Sequence, residues 1–421
     1  MRPTGRLHIG HYFGALQNWV RLQNDPSYDC FYFVADWHAL TSDYADTSAI
    51  AENTLQITID FLASGLDPQK SVIFLQSQVP EHAELHLLLS MVTPLGWLER
   101  IPTYKEALDN IKNKDLHTYG FLGYPTLQTA DIVIYSKIDD EGKLLPLYVP
   151  VGEDQVSHVE FSRELVRKFN FHYAGIRVFP SIMNTENQKF LGHVCLALAN
   201  EGYPTGSYIE LGGHEDTEVP DSIARFAQQL ASAIGLQNFL DRMESAARFF
   251  SVSTVLEEPQ VLLTPTPRIP GLDGRKMSKS YGNAITLSES DADIRSKSKV
   301  MVTDPARKRR TDPGNPDICP VYDWHKLFST PERDPGRLDW VQSGCRSAAI
   351  GCIDCKAAMA ANLINWIAPV RERRVKWEND QKGVREILDE GSAKAQESAK
   401  RTMYRVRESV LGWQAKRRNL L

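Results

Sequence analysis

Two apolar runs, FYFVADWHAL at 31–40 and SVIFLQS at 71–77, bracket the segment AENTLQITIDFLASGLD at 51–67. The two runs end in polar residues and read as buried strands. The middle segment carries helical periodicity and stops near Gly65. Strand, helix and strand of this length make a βαβ unit, and a βαβ unit commits the chain to a parallel sheet. Ligands of such sheets sit at the carboxyl ends of the strands. That rule draws attention to Asp36, Trp37, His38 and Gln76.

The 421 residues suffice for two or three domains, and 42% hydrophobic content gives them a core. No run of about 18 apolar residues occurs, so no membrane span is expected. The opening MRPTGRLHIG lacks a secretory apolar region, and cytoplasm is the expectation. After residue 300 the pattern changes. DPARKRRTDPGNPD forms a charged, Pro/Gly-rich boundary, and long helical patterns follow over 357–374 and 384–412. Residues 371–421 carry 14 Lys+Arg and 8 Asp+Glu, a net of +6 on a chain whose formal charge is −5. A basic segment on an acidic body suggests an anionic partner such as nucleic acid. A solvated helical face gives the same count.

Phosphate chemistry is suggested twice. PTGRLHIGHYFGALQNWVRLQ at 3–23 looks like a turn at Thr4 and Gly5 feeding a helix, with Ile9, Phe13, Leu16 and Val20 on one face. His8 and His11 share a face at its first turn, where free N–H groups and the dipole suit a phosphate. Gly10 between them lets a flat base approach the backbone. LDGRKMSKSYGNAI at 272–285 puts Lys276, Lys279 and Ser280 in a loop flanked by Gly274 and Gly282. Such a loop can close on a triphosphate and neutralise charge at the transferring phosphoryl group. Alone, each segment also fits a bland surface feature.

Together, HIGH and KMSKS in this order resemble the signature pair of class I aminoacyl-tRNA synthetases. GYPTLQTADIVIY at 123–135, YVPVGEDQVSHVEFSREL at 148–165, ADWHALT at 35–41 and RPTGRLHIGHYFGAL at the start look like the bacterial tryptophanyl-tRNA synthetase family. The resemblance covers nearly the whole chain. It implies an α/β, Rossmann-like parallel-sheet catalytic domain over 1–180 and 258–300, and a helical anticodon-binding domain over 301–421. It implies tryptophan activation with ATP and Mg²⁺, transfer to tRNA(Trp), and a homodimer.

The resemblance also implies roles for single residues. Asp131 would accept the indole N–H, and a site built that way discriminates sharply because a buried unpartnered group costs about 1–3 kcal/mol. Val149 and Val151 would line the indole slot, with Gln128 alongside. Tyr124 and Gln155 would hold the substrate ammonium, and His38 would lie near the carboxylate. Asp154 would bind the ATP ribose. His8, Gly10, His11, Ile269, Met277 and Ser278 would contact the adenine and phosphates, and Lys276, Lys279 and Ser280 would clamp the leaving pyrophosphate. Tyr124, Gln128 and Asp131 have the spacing Y-x3-Q-x2-D, which archaeal-type tyrosyl-tRNA synthetases also carry. Tyrosine is therefore the runner-up substrate, and a non-catalytic tryptophan- or RNA-binding relative the rival of another class.

Three features depart from the family. Its first, central strand is missing, because Met1 stands where the turn before R-P-T-G belongs; an upstream start is the expectation. Residues 181–257 look inserted, with SIARFAQQLASAIG and LQNFLDRMESAARFF helical. His193, Cys195, His214, Glu215 and Asp216 have spacing too irregular to read as a metal site. Finally, four of six cysteines form Cys319-x25-Cys345-x6-Cys352-x2-Cys355. Four thiolates can enclose a 4Fe–4S cluster or one Zn²⁺, and four buried thiols are the plain alternative. A subset of the resembled family carries a similar C-x22-C-x6-C-x2-C pattern that binds 4Fe–4S beside the anticodon surface. The longer first gap here makes Cys319 the least secure ligand. Arg346, Lys356 and the basic C-terminal segment would then face the tRNA.

Overall fold

A computed structural model describes residues 1–110, 114–178, 193–204, 221–263 and 269–412. Three contiguous helical stretches, Ile9–His11, Tyr12–Leu16 and Gln17–Gln23, follow the opening turn. Strand β1 (Cys30–Val34) leads into α1 (Asp36–Asp43), α2 (Ile50–Ser64) and β2 (Ser71–Leu75). The strands pair in parallel from Cys30↔Ser71 to Val34↔Leu75, the expected βαβ unit. Gly65 closes α2 at φ +110, a left-handed conformation that glycine adopts without a Cβ clash. The run 31–40 is a strand only to Val34. Asp36 turns it into a helix, its carboxylate accepting from the N–H of Trp37 at 3.1 Å and of Ser77 at 3.0 Å. An acidic side chain at a helix N-terminus is favourable.

Next come α3 (Glu81–Ser90), α4 (Tyr124–Val133), β3 (Leu147–Val151) and α5 (Val156–Phe169). β3 pairs in parallel with β6 (Pro259–Leu263), which is distant in sequence. Between them β4 (Ile176–Val178) and β5 (Phe250–Val252) pair antiparallel. α6 (Asp221–Ile234) and α7 (Leu236–Met243) accompany that pair. Ile176, Leu198, Ile223, Ala231, Phe239 and Phe250 form a separate apolar cluster there. Of the residues weighed as metal ligands in this region, His214, Glu215 and Asp216 lie outside the described residues.

The remainder is helical: α8 (Asp291–Lys299), α9 (Pro320–Phe328), α10 (Arg337–Arg346), α11 (Cys352–Asn379) and α12 (Gln381–Leu411). These helices share their core with the sheet. Val34, Ile57, Ile285, Trp324, Met359 and Val384 belong to one cluster, and Phe74, Ala130, Phe161, Ala395 and Met403 to another. No helix of the described residues is long and apolar enough to cross a membrane.

Four cations of the basic C-terminal segment bond within the chain. Arg371 pairs with Asp291, Arg373 donates to the carbonyl of Ala63, Arg374 pairs with Asp60, and Arg407 pairs with Glu84. A charge sum counts such residues without their partners, and Arg374 at least is buried with its own.

β2 pairs with β1 on one side. Along the other lies α12. The N–H of Leu75 donates to Ser392 Oγ at 3.2 Å, and Ser392 Oγ donates to Gln78 Oε1 at 2.6 Å. A bare strand edge invites unwanted pairing, and a covering helix prevents it. The approach requires glycine: a Cβ on Gly391 would lie 1.9 Å from the carbonyl oxygen of Ile73. Gly391→Ala is therefore expected to lower stability by about 1–3 kcal/mol or more through overpacking. Urea unfolding measures it, and an unchanged midpoint would show that α12 is not seated on β2.

Candidate active site

Residues 7–9 and 285–287 form one short antiparallel bridge. Ile9 N–H donates to Ile285 O at 3.0 Å and Leu287 N–H to Leu7 O at 2.9 Å, with His8 opposite Thr286. The HIGH and KMSKS segments are thereby joined. Gly10 packs on Met277, where a Cβ would be 3.6 Å from the methionine's own, and only 3.0 Å from the His8 ring. Lys279 Nζ donates to Thr4 O at 3.1 Å. Gly5, at φ +102, brings the backbone beneath that ammonium.

The imidazoles of His8 and His11 stack at 3.6 Å between centroids, and His8 N–H donates to His11 Nδ1 at 3.2 Å. Burial, then Lys279, lowers the His8 pKa to about 4. Burial, then His8 and Lys279, lowers that of His11 to about 3. Both rings are neutral at pH 7. A neutral imidazole can still donate one N–H to an anion, and the positive charge of the site stays on the lysines. Lys276 Nζ lies 3.4 Å from Asp154 Oδ2, which also accepts from Gln155 Nε2 at 3.3 Å. Lys276 is largely exposed. Ile269 packs at the margin of the first core cluster.

The KMSKS loop is held by a residue that motif reading missed. Asn283 is 2% exposed. Its Oδ1 accepts from Ser278 N–H at 2.7 Å, and its Nδ2 donates to Lys276 O at 3.1 Å and Asp273 Oδ1 at 2.7 Å. One amide thus fixes the backbone on both sides of Met277. Its only signal in sequence is a position shortly after the motif.

Asp131 lies inside α4, 5% exposed, and caps no helix. Its Oδ2 is 2.8 Å from His38 Nε2 and its Oδ1 is 2.6 Å from His82 Nδ1. Gln76 Nε2 donates to both oxygens, at 2.7 and 2.9 Å. Burial pushes the carboxyl up, but the His38 and His82 bonds outweigh it and hold it well below the usual carboxylate range. Tyr135 Oη lies 2.8 Å from the far nitrogen of His82, which is fully buried. His82 and Tyr135 are further residues that local spacing did not reveal. Tyr124 Oη bonds Thr103 Oγ1 at 2.6 Å, and Thr103 bonds His158 Nε2 at 2.8 Å. Gln128 is half-buried one turn after Tyr124, and Val149 and Val151 are half-buried on β3.

Cys319, Cys345, Cys352 and Cys355 line one pocket with Arg307, Pro316, Val321, Tyr322, Val341 and Ile350. All six cysteines of the chain are free thiols. Arg307 Nη1 approaches Cys345 Sγ at 3.7 Å, and His325 Nε2 lies 3.4 Å from Cys355 Sγ. Burial, then the neighbouring thiols, raises the Cys355 pKa to about 12. Among the described residues no group of three or more His, Cys, Asp or Glu is arranged to hold a metal ion.

A family model described as class I tRNA synthetases (W and Y) matches residues 1–190 and 227–367. A tryptophan–tRNA ligase of Ralstonia nicotianae is 46% identical, with 97% of this chain and 96% of that protein covered. One of Thermotoga maritima is 42% identical, with 97% of each covered. The crystal structure of Campylobacter jejuni tryptophanyl-tRNA synthetase complexed with ADP and tryptophan superposes with a TM-score of 0.67 at 26% identity, covering 97% of each chain. With both signature segments locked together in a parallel α/β frame, the chain belongs to the class I tRNA synthetases of the tryptophan and tyrosine family.

Proposed function

We infer that this chain is a tryptophan–tRNA ligase working in the cytoplasm. The observation that carries the reading is near-full-length identity of 46% and 42% with proteins of that activity. In the first step the tryptophan carboxylate attacks the α-phosphorus of ATP, which enters with Mg²⁺. The bond to the β-phosphate oxygen breaks and pyrophosphate leaves. In the second step the 2′-hydroxyl of the terminal adenosine of tRNA(Trp) takes the tryptophanyl group, releasing AMP. Neither step needs a protein nucleophile, so alignment and charge neutralisation supply the rate.

Residue roles follow. His8, Gly10, His11, Ile269, Met277 and Ser278 contact ATP, and Asp154 its ribose. Lys276, Lys279 and Ser280 neutralise the departing pyrophosphate. Val149, Val151 and Gln128 border the indole, while Tyr124 and Gln155 meet the ammonium. Asp131 accepts the indole N–H. A carboxylate offers about four lone-pair sites; His82, His38 and the two contacts of Gln76 meet them here, so the indole N–H would take the place of one Gln76 contact.

Four cysteines around one pocket suit an all-thiolate donor set, and their identity favours a 4Fe–4S cluster. Structural zinc sites usually pair two C-x2-C knuckles, and this chain has one, at Cys352 and Cys355. Cys319, Cys345, Cys352 and Cys355 would hold the cluster, and Arg307 would donate to Cys345. Its part would be structural, stapling α9, α10 and α11 beside the surface offered to tRNA. Leu87 on α3, Met91 at its end and Leu95 at the start of the next short helix (Leu95–Leu98) are 53%, 66% and 63% exposed. We take them as the face of a homodimer.

Pyrophosphate exchange into ATP should depend on tryptophan and not on tyrosine. Preference for tyrosine would select the runner-up, and no exchange would select a non-catalytic relative. Lys279→Ala should cut exchange by about 10²–10³, with tryptophan binding by fluorescence little changed. Anaerobically purified protein should be brown with about four iron atoms per chain; colourless protein containing zinc would refute the cluster. Met91→Asp should convert a dimer to a monomer in light scattering, and a wild-type monomer would refute the dimer.

A further inference from the structure

Leu7 is 2% exposed, and its carbonyl serves the bridge to Leu287. Its N–H points the other way, into α2, and donates to Asp60 Oδ2 at 2.7 Å. Asp60 has no exposed surface. Its other oxygen accepts from Arg374 of α11, itself 2% exposed. Arg374 also donates to the Gln56 side chain and lies 3.1 Å from Glu378. Two charges out of water are retained only when paired and hydrogen-bonded. Here one carboxylate ties a backbone N–H at the head of HIGH to a helix more than 300 residues later.

Neighbouring residues of α11 hold the chain that follows the other signature segment and the end of α2. Arg371 donates to Glu289 O at 3.1 Å and pairs with Asp291 at 2.6 Å, just beyond the KMSKS loop. Arg373 donates to Ala63 O at 2.7 Å. The first turn of the same helix carries Cys352 and Cys355. Asp60 is also the anion that Lys279 feels, opposing the burial that lowers the pKa of that lysine.

We propose that Asp60 and Arg374 are positioning residues for tryptophan activation: the buried pair fixes the backbone entering HIGH, and through it α11 sets the alignment of ATP. The pair touches no substrate. Its effect is on the transition state of adenylate formation, because His8, His11 and Lys279 are all registered against residues 4–9. The proposal rests on the ligase reading, which wild-type exchange activity tests separately.

The test uses full-length protein with wild-type exchange already established. Arg374→Met and Asp60→Asn should each lower kcat for tryptophan-dependent exchange by about a hundredfold, the scale of a 1 Å misplacement. The tryptophan KM should stay within about twofold of wild type, since the Asp131 group does not touch the pair. The double variant, which leaves no charge buried alone, should be no worse than either single one. Arg374→Lys should recover about tenfold over Arg374→Met by restoring a buried cation. Near-ultraviolet circular dichroism and melting establish folding in each case. Unchanged kcat in folded variants would overturn the proposal. So would a loss explained by the unfolded fraction, or a rise in tryptophan KM matching the fall in kcat. If the single variants do not fold, the folded double variant decides by the same kcat and KM criteria.

Discussion

Two backbone hydrogen bonds, Ile9 to Ile285 and Leu287 to Leu7, hold the catalytic end of this molecule together. Ile9, Ile285 and Leu287 are fully buried, so their peptide groups have no water to fall back on. An unpaired buried N–H costs about 1–3 kcal/mol, and the bridge removes that cost by making two distant segments satisfy each other. The stacked imidazoles, Lys279 above Thr4 and Met277 under Gly10 all take their geometry from it. A loop tethered at this point keeps a fixed register while its tip remains in solvent.

The two ends of the candidate site have opposite electrical character. Near HIGH, the imidazoles are kept neutral by burial and by Lys279, and lysine ammonium groups carry the charge. Around Asp131 a carboxylate stays ionised at full burial because histidine and amide donors converge on it. Neighbours, rather than residue type, decide which form each group takes. A cationic end suits phosphates and an anionic end suits an N–H donor.

Much of this was legible from sequence. The βαβ unit followed from apolar periodicity, Gly65 marked the end of α2, and the two signature segments announced each other. Asp131 drew notice through its neighbours Tyr124 and Gln128, yet the donors that converge on it needed the structure. Asn283, His82 and Asp60 were not legible. Each acts through partners that no spacing rule joins: Asn283 through backbone atoms, His82 through a residue 49 positions away, Asp60 through one 314 away. The basic C-terminal segment was legible only as a sum of charges. Composition counts charges and is blind to their partners, and Arg371, Arg374 and Arg407 are bound to carboxylates of the catalytic body.

The seat of α12 on β2 has a consequence for biosynthesis. β1 and β2 leave the ribosome early, but the outer edge of β2 finds its cover only when Gly391 and Ser392 have emerged. For most of translation the sheet presents an open strand edge, the surface most prone to pairing with other chains. A ribosome stalled between the KMSKS loop and α12 releases a chain that holds both signature segments and lacks the helix that covers β2.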